Sequence, residues 1–125
     1  MQIAYELRVT EEKQGFTDNG NFIRESGKLM TGQSLHVQYK GKPLQSVKKY
    51  YWQVRVWDNH GKTSAWSEPA FWQMGFLNAK DWKAKWIQAG YTEDTVLRPS
   101  PLLRKGFTAA KTIETATLFI NAHGL

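Results

Sequence analysis

The chain has 125 residues, with 17 Lys+Arg against 11 Asp+Glu, a net charge of +6 and no cysteine. Disulfides, thiolate nucleophiles, iron–sulfur clusters and thiolate zinc sites are thereby excluded, and His36, His60 and His123 share no ligand-like spacing. With 41% hydrophobic residues and no apolar run near the roughly 20 residues of a membrane span, the composition predicts a globular domain, not a membrane or disordered segment. No signal peptide is legible, so the compartment stays open between cytoplasmic and exported. The charge is also spread out, at +1 over residues 1–43, +2 over 44–77 and +3 over 78–125. Nucleic-acid binders concentrate their bases on one stripe, so no nucleic-acid partner is expected.

Strand patterns dominate in chain order. Over residues 3–9, Ile3, Tyr5, Leu7 and Val9 alternate with polar residues such as Glu6 and Arg8, which predicts a strand with one buried face and one solvated face. A polar loop follows, marked by Asn19-Gly20, and a short strand is expected from Phe22-Ile23 to Ser26-Gly27. Leu35, Val37 and Tyr39 alternate again. The strongest pattern spans residues 50–57, with Tyr50, Trp52, Val54 and Val56 on one face and Tyr51, Gln53, Arg55 and Trp57 on the other. Asp58-Asn59-His60-Gly61 reads as a turn, and a last strand is expected from Ala70 to Phe76 behind Pro69. Residues 78–100 hold Trp82 and Trp86 among lysines, and the polar stretch from Thr92 to Pro101 carries the breakers Pro99 and Pro101. Beyond them Ala116, Leu118, Ile120 and Ala122 alternate with Thr115, Thr117, Phe119 and Asn121 as a further strand.

Two sets of residues carry a family resemblance. Leu44 stands six residues before Tyr50, which opens the pattern Tyr-x-Trp-x-Val-x-Val. This resembles the tyrosine corner of fibronectin type III domains, where the phenol hydroxyl ties back to upstream backbone. The wider string is more specific: Gly41-Lys42-Pro43-Leu44, Tyr50-Tyr51-Trp52-Gln53-Val54-Arg55-Val56-Trp57-Asp58, Ser64-Ala65-Trp66-Ser67-Glu68-Pro69 and Asp81-Trp82-x-Ala84-x-Trp86-Ile87. Pro101-Leu102-Leu103-Arg104-Lys105-x-Phe107 and Ala116-x-Leu118-x-Ile120-x-Ala122-x-Gly124 complete it. Together these resemble the N-terminal portion of bacterial α-L-rhamnosidases, inverting glycoside hydrolases that remove terminal L-rhamnose.

The resemblance implies an all-β chain: an immunoglobulin/fibronectin type III-like β-sandwich at residues 1–77 lacking its first strand, an interdomain connector at 78–100, and the first strands of a truncated second β-sandwich at 101–125. It further implies that the catalytic acidic pair resides in an (α/α)6 barrel absent from this stretch, and that the remaining domains of the parent enzyme are the partners. The fragment itself is then no enzyme and needs no cofactor.

The residues agree with that reading. An inverting pair needs carboxyls ~6.5–9.5 Å apart with one pKa raised; Glu11-Glu12 and Glu93-Asp94 lie in polar loops without apolar surroundings. Ser34, His36 and Asp58 form a triad on paper only, since no nucleophile elbow supports it. Among the tryptophans, Trp52 faces inward as core. Trp57 can stack with Arg55, and Trp66 is expected to pack on the Arg55 stem. Trp82 and Trp86, four apart, would share one side of a helical turn and glue two domains. Two other functions remain open: a carbohydrate-binding module using Trp57, Trp66, Trp82 and Trp86 on a rhamnosylated glycan, and a protein-interaction module of the type III kind. An unpaired terminal strand is also expected to dock on a sheet edge, within the chain or in a strand-exchanged homodimer.

Overall fold

The computed structural model describes residues 1–17, 20–92, 94, 96–97 and 100–122. The chain divides into two units, Met1–Trp82 and Lys83–Leu125. The first is built on one antiparallel sheet of five strands: β1 (Gln2–Thr10), β2 (Arg24–Glu25), β3 (Leu29–Met30), β4 (Lys49–Asp58) and β5 (Ala70–Gln73). Its order is β2-β1-β4-β5, with β3 pairing the same edge of β1 that β2 pairs. Between those two short strands Gly27 takes a φ of 61°, a left-handed conformation that glycine adopts without a Cβ clash.

β1 and β4 form the centre, pairing from Gln2↔Asp58 to Thr10↔Tyr51 with a register shift between Gln2 and Ala4. This register sorts the side chains. Tyr5, Leu7 and Val9 share the inner face with Trp52, Val54 and Val56, while Ala4, Glu6, Arg8 and Thr10 share the outer face with Tyr51, Gln53, Arg55 and Trp57. The hairpin after β4 closes as the sequence predicts. The Gly61 amide donates to the Asp58 carbonyl, and the Asp58 carboxylate accepts the His60 and Lys62 amides at 2.9 and 2.8 Å.

Tyr50 is 1% exposed, and its hydroxyl accepts the Gln45 backbone N–H at 2.8 Å. The tyrosine corner expected from Leu44 and Tyr50 is therefore formed. Beside it, Val47 has a φ of 66°, a strained position for a β-branched residue. It is held from both sides, its N–H donating to the Gly75 carbonyl and its carbonyl accepting from the Gln73 side chain.

Several expectations are corrected. The strand from Phe22 is reduced to Arg24–Glu25, and β3 follows unannounced by any periodicity. Residues 35–39 alternate but form no ladder: His36 turns to a φ of 54°, and the carbonyls of Leu35, His36 and Gln38 are taken by the side chains of Gln33 and Arg24. The last strand stops at Gln73; beyond it the Met74 amide donates to the Lys48 carbonyl and the Gly75 carbonyl accepts the Val47 amide. Apart from these corrections, a 3-10 turn at Ala79–Asp81 in the first unit is tied to Ser46: the Ser46 hydroxyl donates to the Asp81 carboxylate and accepts the Leu77 amide.

In the second unit no described residue lies in a helix or strand. The alternation of residues 116–122 is real, but a strand exists only where a neighbour takes its backbone groups. Trp82 is extended, so no helical turn carries Trp82 and Trp86 together. Asn19, Glu93, Pro99, His123 and Gly124 lie outside the described residues. No helix among the described residues is long and apolar enough to cross a membrane.

Candidate functional site

The outer face of the sheet carries Glu6, Arg8, Arg55 and Trp57, with the indole of Trp66 laid against the two arginines. Arg55 reaches Glu6 across the β1–β4 pair, with Nε at 2.7 Å and Nη2 at 2.6 Å from the same carboxylate oxygen. Its guanidinium also covers the ring of Trp57 at 5.2 Å and that of Trp66 at 4.6 Å. The ring of Trp66 also meets Arg8 at 4.6 Å, and Arg8 in turn lies over Phe22 at 5.1 Å. Lys28 closes the far end over Trp57 at 4.7 Å. The result is a ladder of alternating cations and rings, Phe22–Arg8–Trp66–Arg55–Trp57–Lys28, in which each cation faces π-electron density. Glu25 lies 2.9 Å from Arg8 Nε, an ion pair whose geometry falls short of an aligned hydrogen bond.

The local sequence explains how Trp66 reaches this position. Regular pairing between β4 and β5 ends at Trp52↔Ala70. Above it, Ser64 and Ser67 hydrogen-bond the free edge of β4: their amides donate to the Val56 and Val54 carbonyls, and their hydroxyls accept the Val56 and Val54 amides at 3.1 Å. Serines three apart thus replace a strand and set the indole between them over the arginines.

The inner face is different. A cavity of about 360 Å³ is lined by Tyr5, Leu7, Val9, Trp52 and Trp72 of the sheet, by Ser34, Val37 and Tyr39 of the segment crossing it, and by Arg24. Trp72 stands between Tyr50 and Tyr39, with centroids 5.7 and 6.2 Å away. Burial, and next the neighbouring Tyr50, push the Tyr39 phenol above its ordinary pKa of 10.0. Arg24 is 8% exposed; Nη1 donates to the Gln38 carbonyl at 2.9 Å and the guanidinium lies 5.8 Å from the Tyr39 ring.

The four tryptophans singled out from the sequence fall into three places. Trp57, 9% exposed, and Trp66 belong to the ladder, with cations already on their rings. Trp82 meets Phe76 edge-on at 5.0 Å in the first unit. Trp86 lies in the second unit and is 67% exposed. Trp52 lines the inner cavity with Trp72. The acids are dispersed. Glu11 pairs with Lys48, and Asp94 accepts the Leu97 and Val96 amides, which hold its carboxyl below the usual range. Among the described residues no three His, Asp or Glu side chains gather as a metal site. Glu6, Arg8, Phe22 and Lys28 were not singled out from the sequence. The first two sit at polar positions of an alternating strand, where the pattern gives no sign that a loop indole lands on them.

Comparison with known proteins follows the same lines. An α-L-rhamnosidase of Formosa agariphila is 34% identical over 99% of this chain, and one of Alteromonas sp. is 35% identical over 99%. This chain spans 14% of each of those two proteins. The crystal structure of Streptomyces avermitilis α-L-rhamnosidase complexed with L-rhamnose superposes with a TM-score of 0.62 at 41% identity, covering 70% of this chain and 8% of that one. The α-L-rhamnosidase from Dictyoglumus thermophilum gives 0.63 at 33% identity, over 75% and 10% of the two chains. Residues 1–78 match the family model described as Rha78A-like, N-terminal immunoglobulin domain, and the chain belongs to that family of α-L-rhamnosidase domains.

Proposed function

We propose that this chain acts as the non-catalytic, architectural N-terminal module of an α-L-rhamnosidase, whose full polypeptide hydrolyses terminal α-L-rhamnose. In this reading residues 78–100 connect to the next domain and 101–125 begin its β-sandwich, with the rest of the enzyme as partner. The observation that carries it is the family match over residues 1–78 with a sheet whose outer face is spent on its own packing. The ladder offers no unengaged acid pair of the kind that glycoside hydrolysis requires.

The test is to assay an aryl α-L-rhamnoside with this chain alone and with the full-length enzyme that carries it. No release is expected from the chain, and release above background would overturn the reading. In the full-length enzyme, Arg55→Ala should lower the melting temperature while kcat/KM below that temperature stays unchanged. A change in kcat/KM without a change in melting would give the module a direct part in catalysis.

A carbohydrate-binding role is the second reading, favoured by the exposure of Trp82 and Trp86 at 40% and 67%. Flat apolar rings with one open face are what a sugar stacks on, whereas Trp57 and Trp66 would first have to shed Lys28, Arg55 or Arg8. Titrating rhamnose against indole fluorescence separates the two. A saturable shift lost in Trp82→Phe or Trp86→Phe would support sugar binding, and a flat trace would leave the architectural role.

A further inference from the structure

Past the end of β5, residues 74–82 are fastened to the corner at residues 45–48, yet no residue of that stretch is buried. Leu77 and Trp82 are 48% and 40% exposed. Hydrogen bonds, more than enclosed apolar surface, therefore carry the attachment. At the near end the Met74 amide donates to the Lys48 carbonyl at 2.9 Å, and the Val47 amide to the Gly75 carbonyl at 3.1 Å. At the far end one oxygen serves twice. The Ser46 hydroxyl accepts the Leu77 amide at 2.9 Å and donates to the Asp81 carboxylate. The Asn78 side chain reaches the same carboxylate at 3.4 Å, and the Asp81 amide returns to the Asn78 carbonyl at 3.0 Å. Residues 77–81 thus form one small turn that Ser46 holds down.

The corner is strained while the segment is attached. Val47 has a φ of 66°, left-handed backbone that a β-branched side chain resists. In that conformation its amide meets Gly75 and its carbonyl accepts the Gln73 side chain at 3.2 Å. When the segment lifts, those contacts go and Val47 is free to return to extended backbone. Relief of strain on the open side opposes the hydrogen bonds on the closed side, the balance that lets a segment open locally. β4 is held separately by its pairing with β1, so the sheet survives the opening.

We propose that residues 74–82 are a releasable strap, latched by the Ser46 hydroxyl and poised by the strain at Val47. Closed, the strap belongs to the first unit as far as Trp82. Open, it gives its length to the chain that follows, roughly 30 Å of added reach when fully extended. Its role in setting the length of a connector rests on the reading of residues 78–100 proposed above; the latch itself rests on contacts within the first unit.

Amide hydrogen exchange of the 125-residue chain tests the latch whatever protein carries it. Ser46→Ala should speed exchange at Val47, Met74 and Leu77 together, by roughly tenfold. Amides of the β1–β4 ladder should keep their wild-type rates. Val47 is 36% exposed, and Val47→Asn places a side chain that tolerates left-handed backbone there. This variant should slow the same amides severalfold. Unchanged exchange in Ser46→Ala, or faster exchange at Leu77 alone, overturns the proposal, because only a direct acceptor would then have been lost. Acceleration that spreads through β1 and β4 overturns it as well, making the segment inseparable from the sheet. No slowing in Val47→Asn removes the stored strain and, with it, the poised strap. Aryl rhamnoside release by this chain would instead end the architectural reading and leave these exchange rates as they are.

Discussion

A single hydroxyl fixes the corner that leads into β4. Gln45 donates its backbone N–H to Tyr50, whose ring is fully enclosed against Trp72, so Tyr50→Phe removes the acceptor and keeps the packing. The amide of Gln45 then loses its partner in a part-buried place, and the expected cost is about 1–3 kcal/mol. Urea unfolding should show a lower midpoint at unchanged slope; an unchanged midpoint would mean that water takes over the Gln45 amide. This corner was legible through the resemblance of Leu44 and the Tyr-x-Trp-x-Val-x-Val pattern to the tyrosine corner of fibronectin type III domains. Val47, three residues before the tyrosine, was not. Its positive φ is imposed by two hydrogen bonds from residues 73 and 75, a long-range constraint that no local pattern records.

At the level of elements, β1 and β4 were legible in full and their outer face was misread. Period-two alternation locates a strand and sorts its residues, and it did so for both. It says nothing of what covers the polar side. Glu6, expected at a solvated face, is 7% exposed, with the Arg55 guanidinium bonded to its carboxylate and laid against Trp66. The ladder is therefore a structural layer, and Arg55 is its centre. Removing it strands the Glu6 carboxylate, and breaking a fully buried pair costs ~3–5 kcal/mol. Since the Arg55 side chain is 32% exposed, Arg55→Ala should cost less, about 2–3 kcal/mol in the unfolding free energy. Arg55→Lys keeps the charge but loses the planar stacking, so it should recover only part. Full recovery by lysine would show that charge alone matters.

The 3-10 turn at Ala79–Asp81 makes a second prediction at this scale. The Ser46 hydroxyl bond first, and then Asn78, hold the Asp81 carboxyl below its ordinary value of 3.8. A carboxylate with a lowered folded-state pKa contributes fully above the unfolded value, and the contribution disappears as pH falls through the folded one. The packing of Trp82 on Phe76, read by near-ultraviolet circular dichroism, should thus weaken once pH drops below about 4. Asp81→Asn should flatten that part of the acid titration. An unaltered titration in the variant would assign the transition to another group.

For the molecule as a whole, the difference between the two units follows from strand pairing. β1 has neighbours on both edges and β4 pairs along its whole length, whereas residues 116–122 show the alternation of a strand without a ladder. Alternation in Leu35, Val37 and Tyr39 failed in the same way, so in this chain period two reports which residues seek a face, and only partners decide whether a strand forms. Amide hydrogen exchange measures that directly. At high dilution the amides of β1 and β4 should be the slowest, with residues 83–122 exchanging near the unprotected rate. Protection of residues 83–113 at high dilution would show that the second unit orders itself without a partner, and the dependence of its strand on a neighbouring sheet would then be wrong.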